Sequence, residues 1–160
     1  MPLKLAGALL LSLAGLAAGC ALVRRLRLRK RFLRDFIAFL TALETNLRWR
    51  CDDIFTLVNS SQELFALPAD SSSPFEQVWE KYTAPLSRRF CLKREDALLL
   101  GELGAGLGKT DAEGQLAHLA LYKTLFCKQL AAAEEELQSK AKLYRTLGLF
   151  AGMSAALMMI

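Results

Sequence analysis

A glycine-rich stretch ending in lysine and threonine, Gly104-Ala105-Gly106-Leu107-Gly108-Lys109-Thr110, is where this sequence comes nearest to ligand chemistry. In a phosphate-binding loop the backbone N–H groups cradle phosphates and the lysine reaches the terminal ones. The spacing fails here, because the glycine required five positions before Gly108 is Leu103. No strand pattern precedes it, and helix capping accounts for Gly108 and Thr110. His118 is the sole histidine, with Glu113 and Gln115 near it in sequence, which is no metal-ligand set. One histidine without a positioned nucleophile gives no Ser/His/Asp or Cys/His arrangement. Cys20, Cys51, Cys91 and Cys127 stand far apart with no C-x-x-C, so neither a zinc knuckle nor a redox pair is indicated. These residues point to a protein that is not an enzyme, with no cofactor, no metal and no small-molecule substrate.

The remaining chemistry is positive charge. Arg24, Arg25, Arg27, Arg29, Lys30, Arg31 and Arg34 crowd together with no acid among them. All sixteen acids follow, from Asp35 onward, where they outnumber lysine and arginine. The net charge of +5 therefore arises from one cluster and describes no basic face on the rest of the chain. The cluster follows an uncharged run, Leu5 to Val23, of the length that spans a bilayer as a helix. Nucleic acid is the alternative partner of these seven residues; their place directly against that segment makes lipid phosphate the expected one, with no nucleic acid. Positive charge stays on the cytoplasmic side, which puts the amino terminus outside.

A second apolar segment, Leu147 to Ile160, lengthens to about residue 143 if Lys142 and Arg145 extend toward headgroups. It reads as spanning; the alternatives are an interfacial helix or one buried in a partner. Small residues recur at four-residue spacing in both segments, at Gly15 and Gly19 and at Gly148, Gly152 and Ala156, which allows close helix packing in lipid. A competing signal is Leu16-Ala17-Ala18-Gly19-Cys20, a lipoprotein cleavage box. It would make the chain an exported lipoprotein or envelope-facing binding module anchored through Cys20. The dense positive run just behind the cut opposes that translocation.

Between the ends, periodicity is helical. Phe36, Leu40, Leu43, Leu47, Cys51, Ile54 and Val58 form one stripe of a long helix. Leu67 to Ser73 is a loop by its Pro68, Asp70 and serines. Ser73-Pro74-Phe75-Glu76 predicts a capped helix start, and Pro85 predicts its end. A helix over about 94–107 carries Leu98, Leu99, Leu100 and Leu103, with Gly108 as its left-handed terminator. Thr110-Asp111-Ala112-Glu113 predicts a capping box opening the last helix. Leu116, Leu119, Phe126, Leu130, Ala133, Leu137 and Tyr144 share a face of that helix, and Glu134, Glu135 and Glu136 read as a solvated patch. Cys51, Cys91 and Cys127 read as reduced core residues. The expectation is all-α: a short lead over 1–4, a transmembrane helix over 5–23, a basic juxtamembrane segment over 24–34, a cytoplasmic helical bundle over 35–142, and a C-terminal hydrophobic helix over 143–160.

Several motifs then meet a family. Leu100-Gly101, Leu107-Gly108-Lys109-Thr110-Asp111, Gln115 and His118 resemble the L-G…L-G-x-[ST]-D-x-x-x-Q-x-x-H pattern of stage III sporulation protein AB. Lys142-Leu143-Tyr144-Arg145-Thr146-Leu147-Gly148, followed by Gly152, is similar to that family's junction into its terminal helix. Leu43-Glu44 resembles its L-E-x-E element, with Asn46 in place of the second acid. The resemblance implies a platform subunit of the mother-cell/forespore channel in endospore formation. Its cytoplasmic domain would be similar to those of the F-type platform proteins of type II secretion and type IV pilus systems. By that likeness it would dock a secretion-type ATPase, stage III sporulation protein AA, and other stage III sporulation membrane subunits. Gly108, Thr110, Asp111, Gln115, His118 and Glu44 are the candidate interaction residues; the bland reading of Gly108, Thr110 and Asp111 is capping alone.

Overall fold

A computed structural model describes residues 2–50 and 74–159, without the side chains of 2–6, 8, 9, 11, 12, 50, 145, 152, 155, 156, 158 and 159. The described residues are all-α: α1 (Pro2–Arg50), α2 (Phe75–Arg89), α3 (Arg94–Gly106) and α4 (Ala112–Met159). They form two compact units, one of residues 1–30 with 132–160, the other of residues 31–131. Cys51, Ile54 and Val58 of the expected α1 stripe, and the loop over Leu67 to Ser73, lie outside the described residues.

Unit 31–131 is built around aromatic side chains. The α1 stripe buries Phe32, Leu33, Phe36, Phe39, Leu40 and Leu43. Phe36 meets Phe126 of α4 edge-on at 4.7 Å and lies 6.5 Å from the Trp79 ring of α2. Such pairs add about 0.5–1.5 kcal/mol beyond their area. The fully buried indole of Trp79 donates from Nε1 to the Leu100 carbonyl at 2.8 Å, which locks α2 to α3. Gly104 makes room for it, since a Cβ there would fall 2.0 Å from Trp79 Cδ1.

The helix ends differ in detail from the sequence reading. Pro74, not Ser73, is the N-cap of α2, and Ser73 is outside the described residues. Pro85 does not end α2, which runs to Arg89. Pro85 removes one ladder donor, but it is exposed, and burial of Leu86 and Phe90 holds the last turn against the core. The Leu92 N–H reaches the Ser87 carbonyl at 2.9 Å and that of Cys91 the Arg88 carbonyl at 3.3 Å. This is a Schellman closure, with Cys91 at φ 54° in the place usually held by glycine. At the start of α3, fully buried Asp96 accepts from the Lys93 N–H at 2.9 Å. Cys91 is half-buried and Cys127 exposed, so neither is the core residue expected; Cys51 is outside the described residues.

Residues 1–30 and 132–160 make an antiparallel helix pair. Contacts that rise along α1 fall along α4: Gly148 packs on Gly15 and Gly19, and Glu136 meets Arg29. A Cβ on Gly148 would lie 2.6 Å from the Gly15 carbonyl oxygen and 3.2 Å from Gly19 Cα, so the backbones themselves touch. Leu10, Leu13, Leu16 and Leu22 of α1, and Leu147, Phe150, Met153 and Leu157 of α4, all point outward and are exposed. Among the described residues no helix is long and apolar enough to cross a membrane. Part of Leu5 to Val23, and Gly152 and Ala156 of the expected packing stripe, lie among the side chains not described.

Candidate interaction site

The turn between α3 and α4 gathers most of the residues that the sequence singled out. α3 closes at Leu107, and Gly108 takes φ 80°, the left-handed terminator expected of it. The next cap is a single residue. Asp111 Oδ1 accepts from the Gly114 N–H at 3.1 Å, so Asp111 is the N-cap of α4 and Gly114 occupies the third helical position. The box read from Thr110 to Glu113 is thus displaced by one residue, and Glu113 falls one place short of answering the cap.

Thr110 instead serves Gln115. The Gln115 side chain is buried, and its Nε2 donates to Thr110 Oγ1 at 2.8 Å and to the Gly106 carbonyl at 3.2 Å. Its Oε1 is buried without a hydrogen-bond partner. His118, half-buried, approaches the Leu103 carbonyl with Nε2 at 3.1 Å. A carbonyl only accepts, so Nε2 carries the proton. Gly106 is the space this ring needs, because a Cβ would sit 2.2 Å from His118 Cε1. The imidazole also lies 4.7 Å from the Tyr122 ring. Tyr122 in turn donates to Glu102 Oε2 at 3.4 Å. Burial first, and then the Glu102 carboxylate, hold the Tyr122 hydroxyl above its ordinary pKa. Lys109 pairs with Glu76 of α2 at 3.2 Å, both ends exposed.

These bonds divide the candidates. Gln115, bonded to the Thr110 hydroxyl and the Gly106 carbonyl, and His118, at the Leu103 carbonyl, are engaged internally and set the shape of the turn. Gly108, Lys109, Thr110, Asp111 and Glu113 form its exposed rim. The turn is a polar knuckle whose histidine is engaged with backbone. Glu44 is elsewhere, joined to Lys123 of α4 at 3.1 Å and to Arg48 at 3.9 Å. The sequence missed the roles of Gly104, Gly106 and Asp96. A glycine inside an otherwise helical pattern was the available signal for the first two.

The headgroup set also changes. Arg29 is buried and pairs with Glu136 at 3.3 Å, and Lys30 pairs with Glu134 at 3.0 Å. Arg29 is therefore no headgroup contact: burying a guanidinium requires the carboxylate it has found. Glu134 and Glu136 are ion-pair partners and not merely a solvated patch, Glu136 also holding Lys140 at 2.7 Å. Arg24, Arg25, Arg27, Arg31 and Arg34 remain exposed.

Residues 4–160 match the family model of stage III sporulation protein AB. No curated protein and no solved structure matches the chain. With nearly every residue covered, this protein belongs to the stage III sporulation protein AB family, and its role is in sporulation.

Proposed function

We propose that this chain is a non-enzymatic platform subunit in the mother-cell membrane, part of the secretion-like mother-cell/forespore channel. Both termini lie outside and residues 31–131 lie in the cytoplasm. There the knuckle around Gly108 to His118 docks a secretion-type ATPase resembling stage III sporulation protein AA, and neighbouring membrane subunits bind alongside. The observation that carries the membrane part is the inverted packing of the helix pair. Glycine faces glycine while leucine, phenylalanine and methionine face out. In water that arrangement forfeits apolar burial, about 25 cal/mol per Å2. In lipid it is the favoured one, since tails solvate leucine and only close backbone approach is left to gain.

Crosslinking in sporulating cells followed by co-purification tests the docking. The ATPase is expected with the wild-type chain and lost with Asp111→Ala while the domain stays folded; retention of the ATPase defeats the assignment of the knuckle. A membrane-impermeant thiol label on intact cells tests the topology. It should leave the exposed Cys127 unmodified, whereas labelling from outside would favour the exported lipoprotein anchored at Cys20.

A further inference from the structure

Within unit 31–131, the Phe32 and Phe90 rings pack at 5.1 Å. That contact brings the α2–α3 turn to the stretch of α1 that carries Arg31 and Arg34. The turn is itself basic: Arg88, Arg89, Lys93 and Arg94 are all exposed. We infer that these two stretches, far apart in sequence, make one basic face on which unit 31–131 rests against an anionic lipid surface. This rests on the membrane reading above, and it adds a contact that the terminal helices do not supply.

Charge complementarity selects the occupant. Of the nearby acids, Asp96 is fully buried and accepts from the Lys93 N–H, and its charge counts against the face. Asp35 lies 3.7 Å from both Arg31 and Arg34, and Glu95 is exposed beside Arg94. Six cations against three acids, Asp35, Glu95 and Asp96, leave a positive surplus. The Arg89 guanidinium is held over the Phe90 ring at 5.5 Å, which fixes it at the turn. Arg31 and Arg34 continue the same helix and the same cationic run as Arg24, Arg25 and Arg27, directly after the apolar stretch. The knuckle is at the opposite end of α3 from this turn, so a lipid-bound face leaves the knuckle open to a protein.

The full chain is reconstituted into vesicles of phosphatidylcholine alone or mixed with phosphatidylglycerol, and amide hydrogen exchange over 88–94 is followed. Exchange should slow several-fold on the anionic vesicles only. The protection should disappear at about 1 M salt, where the screening length is about 3 Å. Arg88→Gln/Arg89→Gln/Arg94→Gln should abolish it while the unit stays folded by circular dichroism, each lost charge weakening attachment about fivefold at low salt. Equal exchange on both vesicle types, protection retained by the triple variant, or the same protection from inorganic phosphate on phosphatidylcholine vesicles would overturn the inference. An alkaline carbonate wash separates this from the membrane reading. A chain washed out of both vesicles sinks the spanning helices, whereas protection on anionic vesicles then still upholds the basic face. A chain retained in both, with no difference over 88–94, sinks the face alone.

Discussion

The two units follow opposite packing rules. Unit 31–131 puts Phe32, Phe36, Phe39, Trp79 and Phe126 inside and, Asp96 apart, leaves most of its described charges exposed. The helix pair of 1–30 and 132–160 puts Gly19, Val23 and Ala133 inside and leaves Leu10, Leu13, Leu16, Leu22, Leu147, Phe150, Met153 and Leu157 exposed. Each glycine–backbone or glycine–ring contact shows which rule is in force. Gly104 is small so that an indole can be buried; Gly148 is small so that another backbone can be reached. The first is a device of water-driven folding, where area removed from solvent dominates. The second stabilises little in water and most where lipid already solvates apolar side chains.

Phe126 is where unit 31–131 is most sensitive to substitution. Phe126→Ala should destabilise unit 31–131 by about 3–5 kcal/mol through a cavity beside Phe36. Denaturant unfolding reads this directly, and a loss below about 1 kcal/mol would mean the aromatic core is not what holds the unit. Next come three glycines treated alike. Gly104→Ala forces Trp79 off the Leu100 carbonyl and should cost about 1–3 kcal/mol. Gly148→Ala meets backbone that cannot swing aside, and should weaken the helix pair by a similar amount when the chain is unfolded in detergent. Gly101 faces open space in the same helix as Gly104, so Gly101→Ala should stabilise by about 0.4–1 kcal/mol. If all three substitutions shift stability in the same direction, glycine is acting through helix propensity and not through the contacts described.

Periodicity carried the long helices because burial enforces it. Phe36, Leu40 and Leu43 of the α1 stripe, and Leu119, Phe126 and Ala133 of the α4 face, are buried as their spacing demands. The knuckle is legible in part: the glycine at 108 marks a helix terminator, and it holds φ 80°. Its cap was misplaced by one residue, since threonine and aspartate are both good N-caps and only the path of Gln115 decides between them. Arg29 was illegible as an ion-pair residue, because its partner Glu136 lies at the other end of the sequence. The same holds for Gly104 and Trp79. Pairings across long separations follow from the fold and leave no local pattern to read.

The Asp111 cap gives a smaller and sharper expectation. Its bond to the Gly114 N–H predicts that Asp111→Ala costs about 1 kcal/mol of stability in unit 31–131, read by thermal or denaturant melting, and Asp111→Asn much less. The asparagine variant keeps the acceptor and drops the charge. Loss of the ATPase with Asp111→Asn, at unchanged stability, would therefore locate recognition in the carboxylate and not in the turn it caps.

The smallest expected effect is alkaline, and it touches both units in the same direction. Tyr122 in unit 31–131 has its pKa raised by burial and by Glu102, and Lys140 in the helix pair has its pKa raised by its bond to Glu136. A folded-state pKa above the unfolded value means that the contribution is complete below the unfolded value, about 10 for tyrosine and 10.4 for lysine. It is lost as pH rises through the folded value. Neither group should change stability between pH 6 and about 9. Spectrophotometric titration isolates Tyr122: the difference between wild type and Tyr122→Phe should report a phenol ionising above its ordinary range. Glu102→Gln should lower that midpoint only partly, since burial is the larger cause and stays in place. A phenol that titrates at its ordinary value in the wild type would show that the link from His118 through Tyr122 to Glu102 is not closed in solution, and the knuckle would then be softer than its hydrogen bonds indicate.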